Sequence, residues 1–196
     1  MNEQAAAWAG EFGDAYTDRN RVDWRRRLNF WANILDATGA RSVLEIGCGA
    51  GWNLTALAKA GRSWGQVRGV DLNANACARA SAAGCEVTRG DVHDTCRWGP
   101  GDHELVFTAG VLIHVAPADL DATMRAIVGL SNRWVLAIEY EATEEQEIEY
   151  RGQQGLLWKR PYGEIYARMG LRPVERGVLT KDAGFDNCTY WLMEKP

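Results

Sequence analysis

Residues 43 to 51, Val-Leu-Glu-Ile-Gly-Cys-Gly-Ala-Gly, constrain this chain more than any other stretch. An aliphatic run reaches a carboxylate and breaks at once into alternating glycines. The run from Ser42 to Ile46 has the composition of a strand covered on both faces, and the pattern from Trp52 to Lys59 is that of a helix following directly. Glycine at 47, 49 and 51 leaves out Cβ atoms where the backbone turns tightly and where a ligand comes close to it. Strand, glycine turn and helix in this order predict an α/β unit with a ligand over the turn.

Two classes of ligand use such a turn. In a dinucleotide site, G-x-G-x-x-G/A ends in a small residue that lets helix and strand pack closely beside a pyrophosphate. Trp52 holds that third position here, and its indole would crowd a diphosphate. No G-K-[ST] follows to build a nucleotide P-loop. A nicotinamide or flavin dinucleotide is therefore disfavoured.

The rest of the composition narrows the field further. With 196 residues and 46% hydrophobic content, the chain has enough apolar material for one sizeable core. A formal charge of -4 and a pI near 5.5 argue against holding nucleic acid by broad phosphate neutralisation. The five cysteines are scattered and form no C-x-x-C pair, so neither a disulfide framework nor a metal site is expected, and free buried thiols are. No signal-peptide pattern or membrane-length apolar run is present, and a soluble cytoplasmic protein without a membrane partner is expected.

Along the chain, Glu3 to Gly10 is alanine-rich and predicts a helix, while Phe12 to Asn20 reads as a structured loop. From Val22 to Thr38, Trp24, Leu28, Trp31 and Leu35 recur at helical spacing, and Gly39 stands where a C-terminal cap belongs. Arg25-Arg26-Arg27 reads as the solvated face of that helix, with a basic patch for an acidic substrate as the other reading. Strands are expected at Gln66 to Asp71, Cys85 to Thr88, Glu104 to Thr108 and Arg133 to Glu139, with helices at Asn73 to Ala82 and Pro117 to Leu130. That alternation implies a parallel sheet. After a helix at Tyr162 to Met169, Leu171 to Leu179 and Cys188 to Met193 predict a closing antiparallel pair joined by the turn-rich Thr180 to Asn187. Six carboxylates between Glu139 and Glu149 read as a solvated loop rather than a cation site. One domain spanning 1–196 is expected: a helical cap or lid at 1–40, a cofactor-binding core at 41–140, and a substrate-side segment with the closing strands at 141–196.

A ligand on such a sheet lies outside the carboxyl ends of the strands. Asp71 ends the second strand roughly 20 residues after the glycine turn, the position from which a carboxylate accepts both ribose hydroxyls. Asp91 follows the third strand, where it can accept from an adenine amino group while the Val92 N–H donates to the ring. A helix cap and a turn aspartate are the plainer readings of these two. Together, Glu45, Gly47, Gly49, Gly51, Asp71 and Asp91 resemble the donor-binding motifs of the class I S-adenosylmethionine-dependent methyltransferases. The resemblance implies a Rossmann-like class I methyltransferase fold: a seven-stranded, mostly parallel sheet with an antiparallel C-terminal strand and extra N-terminal helices. It also implies S-adenosyl-L-methionine as cofactor, its carboxylate against the N–H groups of the Gly47 to Gly51 turn. Cys48 and Asn53 at the turn, Leu72 after Asp71 and Ala109 after the fourth strand complete the expected donor contacts. Tyr16, Arg19 and Asn20 are expected over the donor as a lid, with Arg19 or Asn20 reaching its carboxylate; packing of a preceding helix is the other reading.

A narrower resemblance runs through Phe12 to Asn20, Gly110-Val111-Leu112-Ile113-His114, Ser131-Asn132-Arg133, Glu139-Tyr140 and Tyr150-Arg151-Gly152. These stretches are similar to the pseudaminic acid biosynthesis-associated methylases, which implies a sugar or sugar nucleotide of the nonulosonic acid type as small-molecule acceptor. The chain departs from that family at Pro161-Tyr162, where an aspartate-aromatic pair is usual.

Transfer from a sulfonium needs mainly alignment, because the donor is already activated. For a hydroxyl acceptor, His114 after the fourth strand is the candidate base, and a histidine fixed by packing is the alternative. Tyr150, Arg151 and Lys159 are the candidate substrate contacts, the two cations suiting a carboxylate or phosphate. Thr108-Ala109-Gly110-Val111 lacks the [D/N]-P-P-[Y/F] motif of amide and adenine methylation, so oxygen is expected ahead of nitrogen. A peptide or natural-product methyltransferase and a non-catalytic S-adenosylmethionine-binding module are the alternatives. Trp52 and Trp158 are candidates for the pocket border.

Overall fold

The computed structural model describes residues 3–61, 66–93, 98–150, 152 and 154–196. Five parallel strands form the centre: β1 (Ser42–Ile46), β2 (Gln66–Asp71), β3 (Glu86–Arg89), β4 (His103–Ala109) and β5 (Ser131–Glu139). Two short strands, β6 (Gln146–Glu147) and β7 (Trp158–Lys159), pair only with each other. The sheet is completed by β8 (Arg172–Leu179) and β9 (Cys188–Glu194), in the order β3-β2-β1-β4-β5-β9-β8. Only β9 runs against its neighbours, so the expected seven-stranded sheet with one antiparallel C-terminal strand is what forms.

The reason β1 and β4 read as unbroken apolar runs is visible in where their side chains go. Val43 joins the core layer with Trp31, Leu57, Phe107 and Leu192, while its neighbour Leu44 joins the opposite layer with Val106, Met124, Ile127 and Tyr166. Successive side chains point to opposite faces, and here both faces are covered. Each fully buried aliphatic or aromatic side chain of this kind contributes about 1.5–3 kcal/mol relative to exposure.

Helices α1 (Glu3–Ala9), α2 (Glu11–Arg19), α3 (Leu28–Thr38), α4 (Trp52–Ala60), α5 (Ala74–Ala82), α6 (Pro117–Leu130) and α7 (Tyr162–Arg168) surround the sheet. Their ends follow local chemistry. Gly39 stops α3 in the left-handed region at φ +64 and donates its N–H to Leu35 O. Asn73 caps α5 by accepting from the Ala76 N–H at 2.8 Å. Among the described residues no helix is long and apolar enough to cross a membrane.

Two expectations are corrected. Phe12 to Asn20 is not a loop, because Glu11–Arg19 is helical. Its glycine serves close approach rather than a turn, since a Cβ on Gly13 would lie 1.9 Å from Trp8 O and 2.9 Å from Asn73 Nδ2. The helix expected from Val22 is broken as well. Trp24–Arg27 is a 3₁₀ turn started by Asp23, whose side chain accepts from the Arg25 N–H, and the α-helix begins only at Leu28. That tighter turn sends Arg27 inward while Arg25 and Arg26 stay exposed.

Candidate functional site

A cavity of about 1170 Å³ opens over the carboxyl ends of β1, β2 and β4, where the strand order reverses. The glycine turn forms its floor. The N–H groups of Gly47 and Cys48 both donate to Val70 O, at 2.8 and 3.0 Å, and lock the turn onto β2. The Gly49 N–H then donates to Asp71 Oδ2 at 2.7 Å, while the Asn73 N–H donates to Asp71 Oδ1 at 2.8 Å.

The three glycines have different reasons. A Cβ on Gly47 would strike Val111 Cγ2 at 2.5 Å, and one on Gly51 would press on Cys85 and Ala80. Those two serve packing as well as the left-handed turn, at φ +69 and +78, and Gly51 lies outside the cavity lining. Gly49 adopts φ +54, and among the described residues, its chain neighbours aside, nothing lies within 4 Å of where its Cβ would be. Its bare backbone faces the cavity beside Asp71.

Beneath the turn lies a polar chain. Asn53 donates to Glu45 Oε1 at 2.7 Å, and its own Oδ1 accepts from Arg27 Nη1 at 2.7 Å and from Trp31 Nε1 at 3.3 Å. Glu45 is 2% exposed, and burial pushes its carboxyl up to about 8 despite the Asn53 bond and the nearby Arg27 charge. Burial also raises Asp71, with the two backbone N–H bonds pulling the other way. Asp91 accepts from the His93 N–H at 2.7 Å, the turn role, while facing the cavity alongside Val92, Leu72 and Ala109.

The loop after β4 is organised by a carboxylate at the end of β5. Glu139 is 1% exposed; its Oε1 accepts from the N–H groups of Val111 and Leu112, both at 3.2 Å, and its Oε2 from that of Ile113 at 3.4 Å. Burial raises its carboxyl to about 7, and the three amides oppose the shift. Arg160, itself buried, donates to Leu112 O and Val115 O and pairs with Glu145, so it clamps the same loop to the β6–β7 hairpin. Between these clamps His114 donates its Nδ1–H to Leu156 O at 2.7 Å. Because a carbonyl only accepts, the other ring nitrogen is the acceptor in the neutral imidazole. Its ring lies 4.3 Å from Trp8 and 5.6 Å from Tyr150, and burial lowers it to about 4.

The structure gathers most of the expected residues on this cavity: Tyr16, Asn20, Glu45, Gly47, Cys48, Gly49, Asn53, Asp71, Leu72, Asp91, Val92, Ala109, His114, Tyr150 and Lys159. Arg19 does not line it; its guanidinium lies over the Tyr16 and Phe12 rings at 5.3 and 6.0 Å. Asn20 instead donates to the Tyr16 hydroxyl at 2.9 Å, and burial pushes that phenol up to about 12. Arg151 falls outside the described residues. Trp52 borders the cavity, whereas Trp158 is buried away from it under Arg160. Arg27, Trp8 and Tyr140 also line the cavity, and sequence reasoning missed them. For Arg27 the available signal was the arginine triplet itself.

The acidic run disperses: Glu139 is internal, Glu141 pairs with Arg176 and Glu145 with Arg160. Among the described residues no three His, Cys, Asp or Glu side chains are grouped to hold a metal ion.

Residues 43–132 match the profile of a family described as a methyltransferase domain. An uncharacterized 37.1 kDa protein of a Streptomyces fradiae transposon is 35% identical over 160 residues, a match that takes in 78% of this chain and 46% of that protein. The chain thus spans about half the length of that relative. Among solved structures, magnesium protoporphyrin IX methyltransferase from Synechocystis PCC 6803, with bound S-adenosylhomocysteine, superposes with a TM-score of 0.73 at 14% identity, covering 98% of both chains. A second is 1,6-didemethyltoxoflavin-N1-methyltransferase from Burkholderia thailandensis, with bound 1,6-didemethyltoxoflavin and S-adenosylhomocysteine. It gives 0.69 at 18% identity, over 97% of this chain and 84% of that one. The fold is the Rossmann-like class I methyltransferase fold, and the matched domain runs from β1 to the start of β5.

Proposed function

We propose that this chain is an S-adenosylmethionine-dependent methyltransferase that moves the methyl group to an oxygen of a small polar metabolite. The observation that carries the reading is the open backbone of Gly49 beside the Asp71 carboxylate. An acidic group whose two oxygens are already fixed by backbone N–H groups keeps lone pairs for two ribose hydroxyls. A glycine with empty space above it leaves room for the ligand that bonds there. Asp91 and the Val92 N–H take the adenine edge, as the methyltransferase-domain match over 43–132 supports. The cavity, about 1170 Å³, exceeds the roughly 300–1000 Å³ of a single small-ligand pocket, which suits a donor and an acceptor held together.

In the reaction, the acceptor oxygen attacks the methyl carbon, the carbon–sulfur bond breaks with its electron pair going to sulfur, and the hydroxyl proton passes to solvent water at the mouth of the cavity. Burial makes His114 too weak a base to hold that proton near neutrality, but its unprotonated nitrogen accepts a hydrogen bond and so turns the hydroxyl lone pair toward the methyl group. Lys159, Tyr150 and Arg151 are the substrate contacts in this reading, Lys159 for an anionic group. The resemblance to the nonulosonic acid methylases points to sugars of that type as the acceptor class. A nitrogen acceptor is the second reading, favoured by the N1-methyltransferase among the structural neighbours. Incubating the protein and S-adenosylmethionine with a small-molecule filtrate of a bacterial extract, and reading S-adenosylhomocysteine and methylated products by mass spectrometry, tests this. Turnover that requires the protein fraction of the extract would point to a peptide acceptor, and none with any fraction to a binding module.

A further inference from the structure

Arg27 is a half-buried cation on the cavity wall with no anion assigned to it. Its Nε donates to Gly184 O at 2.9 Å, its Nη1 donates to Asn53 Oδ1 at 2.7 Å, and the plane lies over the Phe185 ring at 4.3 Å. Three elements therefore hold the guanidinium in one orientation: the 3₁₀ turn that carries it, the start of α4, and the β8–β9 connection. The remaining amino group, Nη2, has no hydrogen-bond partner among the described residues, and the side chain lines the cavity.

The carboxylates nearby do not balance this charge. Glu45 is two hydrogen bonds away through Asn53 and fully buried, and burial raises its carboxyl, which disfavours the ionised form. Asp186 is engaged by the Tyr140 hydroxyl at 3.0 Å and by Lys181 at 3.6 Å, and Asp23 pairs with Arg25. Burial lowers the Arg27 pKa, the signature of a desolvated cation. A guanidinium taken out of water persists when an anion meets it, and its fork suits a two-oxygen acceptor.

We propose that Arg27 is the anion-binding residue of the cavity and takes a carboxylate or phosphate oxygen pair from a bound ligand through the Nη2 side of its fork. This rests on the methyltransferase reading for one of two sources of that anion, the amino-acid carboxylate of the donor; the other source is an anionic group on the acceptor. With the donor as the source, Arg27 takes the role that the sequence suggested for Arg19 or Asn20.

The test compares wild type, Arg27→Met and Arg27→Lys, each first checked by circular dichroism for native secondary structure. Calorimetry with S-adenosylhomocysteine and with its decarboxylated form, S-adenosyl-3-thiopropylamine, reads the donor carboxylate alone. If the donor supplies the anion, wild type prefers the carboxylated ligand by about tenfold or more, Arg27→Met loses most of that preference with the decarboxylated affinity little changed, and Arg27→Lys falls between. If the preference survives in Arg27→Met, the thermal shift given by inorganic phosphate to the S-adenosylhomocysteine-saturated protein, against matched chloride, reads the second source: stabilisation in wild type that Arg27→Met abolishes assigns the anion to the acceptor. Both readouts unchanged in Arg27→Met overturn the proposal. A wild type that binds no S-adenosylhomocysteine fails the methyltransferase reading instead, and the phosphate arm on the free protein still decides whether Arg27 holds an anion.

Discussion

The Gly49 N–H donates to Asp71 Oδ2 across the gap between the glycine turn and the end of β2, at 2.7 Å. One bond thus joins the two features read separately in the sequence, and it fixes a carboxylate that lines the cavity. Replacing Asp71 with alanine removes a charged acceptor from a largely buried site. Affinity for S-adenosylhomocysteine should fall by about 1–3 kcal/mol by calorimetry, with the fold retained. Undiminished affinity would remove Asp71 from the ribose site.

Gly49 and Gly47 separate ligand space from packing. Gly49→Ala meets no atom of the described residues beyond its chain neighbours and should cost the fold only the left-handed backbone penalty, about 1–2 kcal/mol, while donor affinity drops further than stability does. Gly47→Ala must displace Val111 and should lower the melting temperature more. Melting curves with and without S-adenosylhomocysteine distinguish the two, and a Gly49→Ala protein with normal donor affinity would contradict the assignment.

Buried carboxyls give the fold a pH signature. Burial pushes the Glu45 and Glu139 carboxyls up to about 8 and about 7 in the fold, against 4.5 when free, so the folded state holds their protons longer and stability falls as pH rises through that window. His114 works oppositely: folded near 4 against 6.5, it adds stability as pH rises from about 4 to 6.5 and nothing above. Between pH 6.5 and 8 the carboxyls act without it, and the melting temperature of the unliganded protein should decline. Glu45→Gln keeps an acceptor for Asn53 and should flatten that decline. An unchanged slope in the variant would mean Glu45 is ionised in the fold.

Glu139→Ala leaves the N–H groups of Val111, Leu112 and Ile113 without their shared acceptor. Loss of about 1–3 kcal/mol for an unsatisfied buried group is expected from denaturant unfolding, together with reduced turnover, because the same loop carries His114. Stability like the wild type would show that the loop holds itself.

The sheet was legible because burial on both faces leaves a chemical trace: Val43, Leu44 and Ile46, or Leu105, Val106 and Phe107, can be little other than central strands. The positions of Asp71 and Asp91 on the cavity were legible because the first ends β2 and the second follows β3 by two residues. What could not be read depends on contacts between distant segments. Gly13 looked like a loop residue, and its cause is the Trp8 carbonyl and the Asn73 side chain pressed against it. Glu139 sat at the head of an acidic run, and only the fold brings it to amides 26 to 28 positions earlier. Arg27 shares its type with two exposed neighbours and differs from them only by the direction its turn gives it.

In the proposed reading, the crevice above Gly49 and Asp71 takes the adenosine of an S-adenosyl donor. Calorimetric titration of the unliganded protein with S-adenosylhomocysteine, beside an identical titration with NAD, tests it most directly. Saturable binding of one S-adenosylhomocysteine per chain, weakened in Asp71→Ala, and no heat of binding from NAD are expected. Binding of NAD without S-adenosylhomocysteine, or of neither, would contradict it.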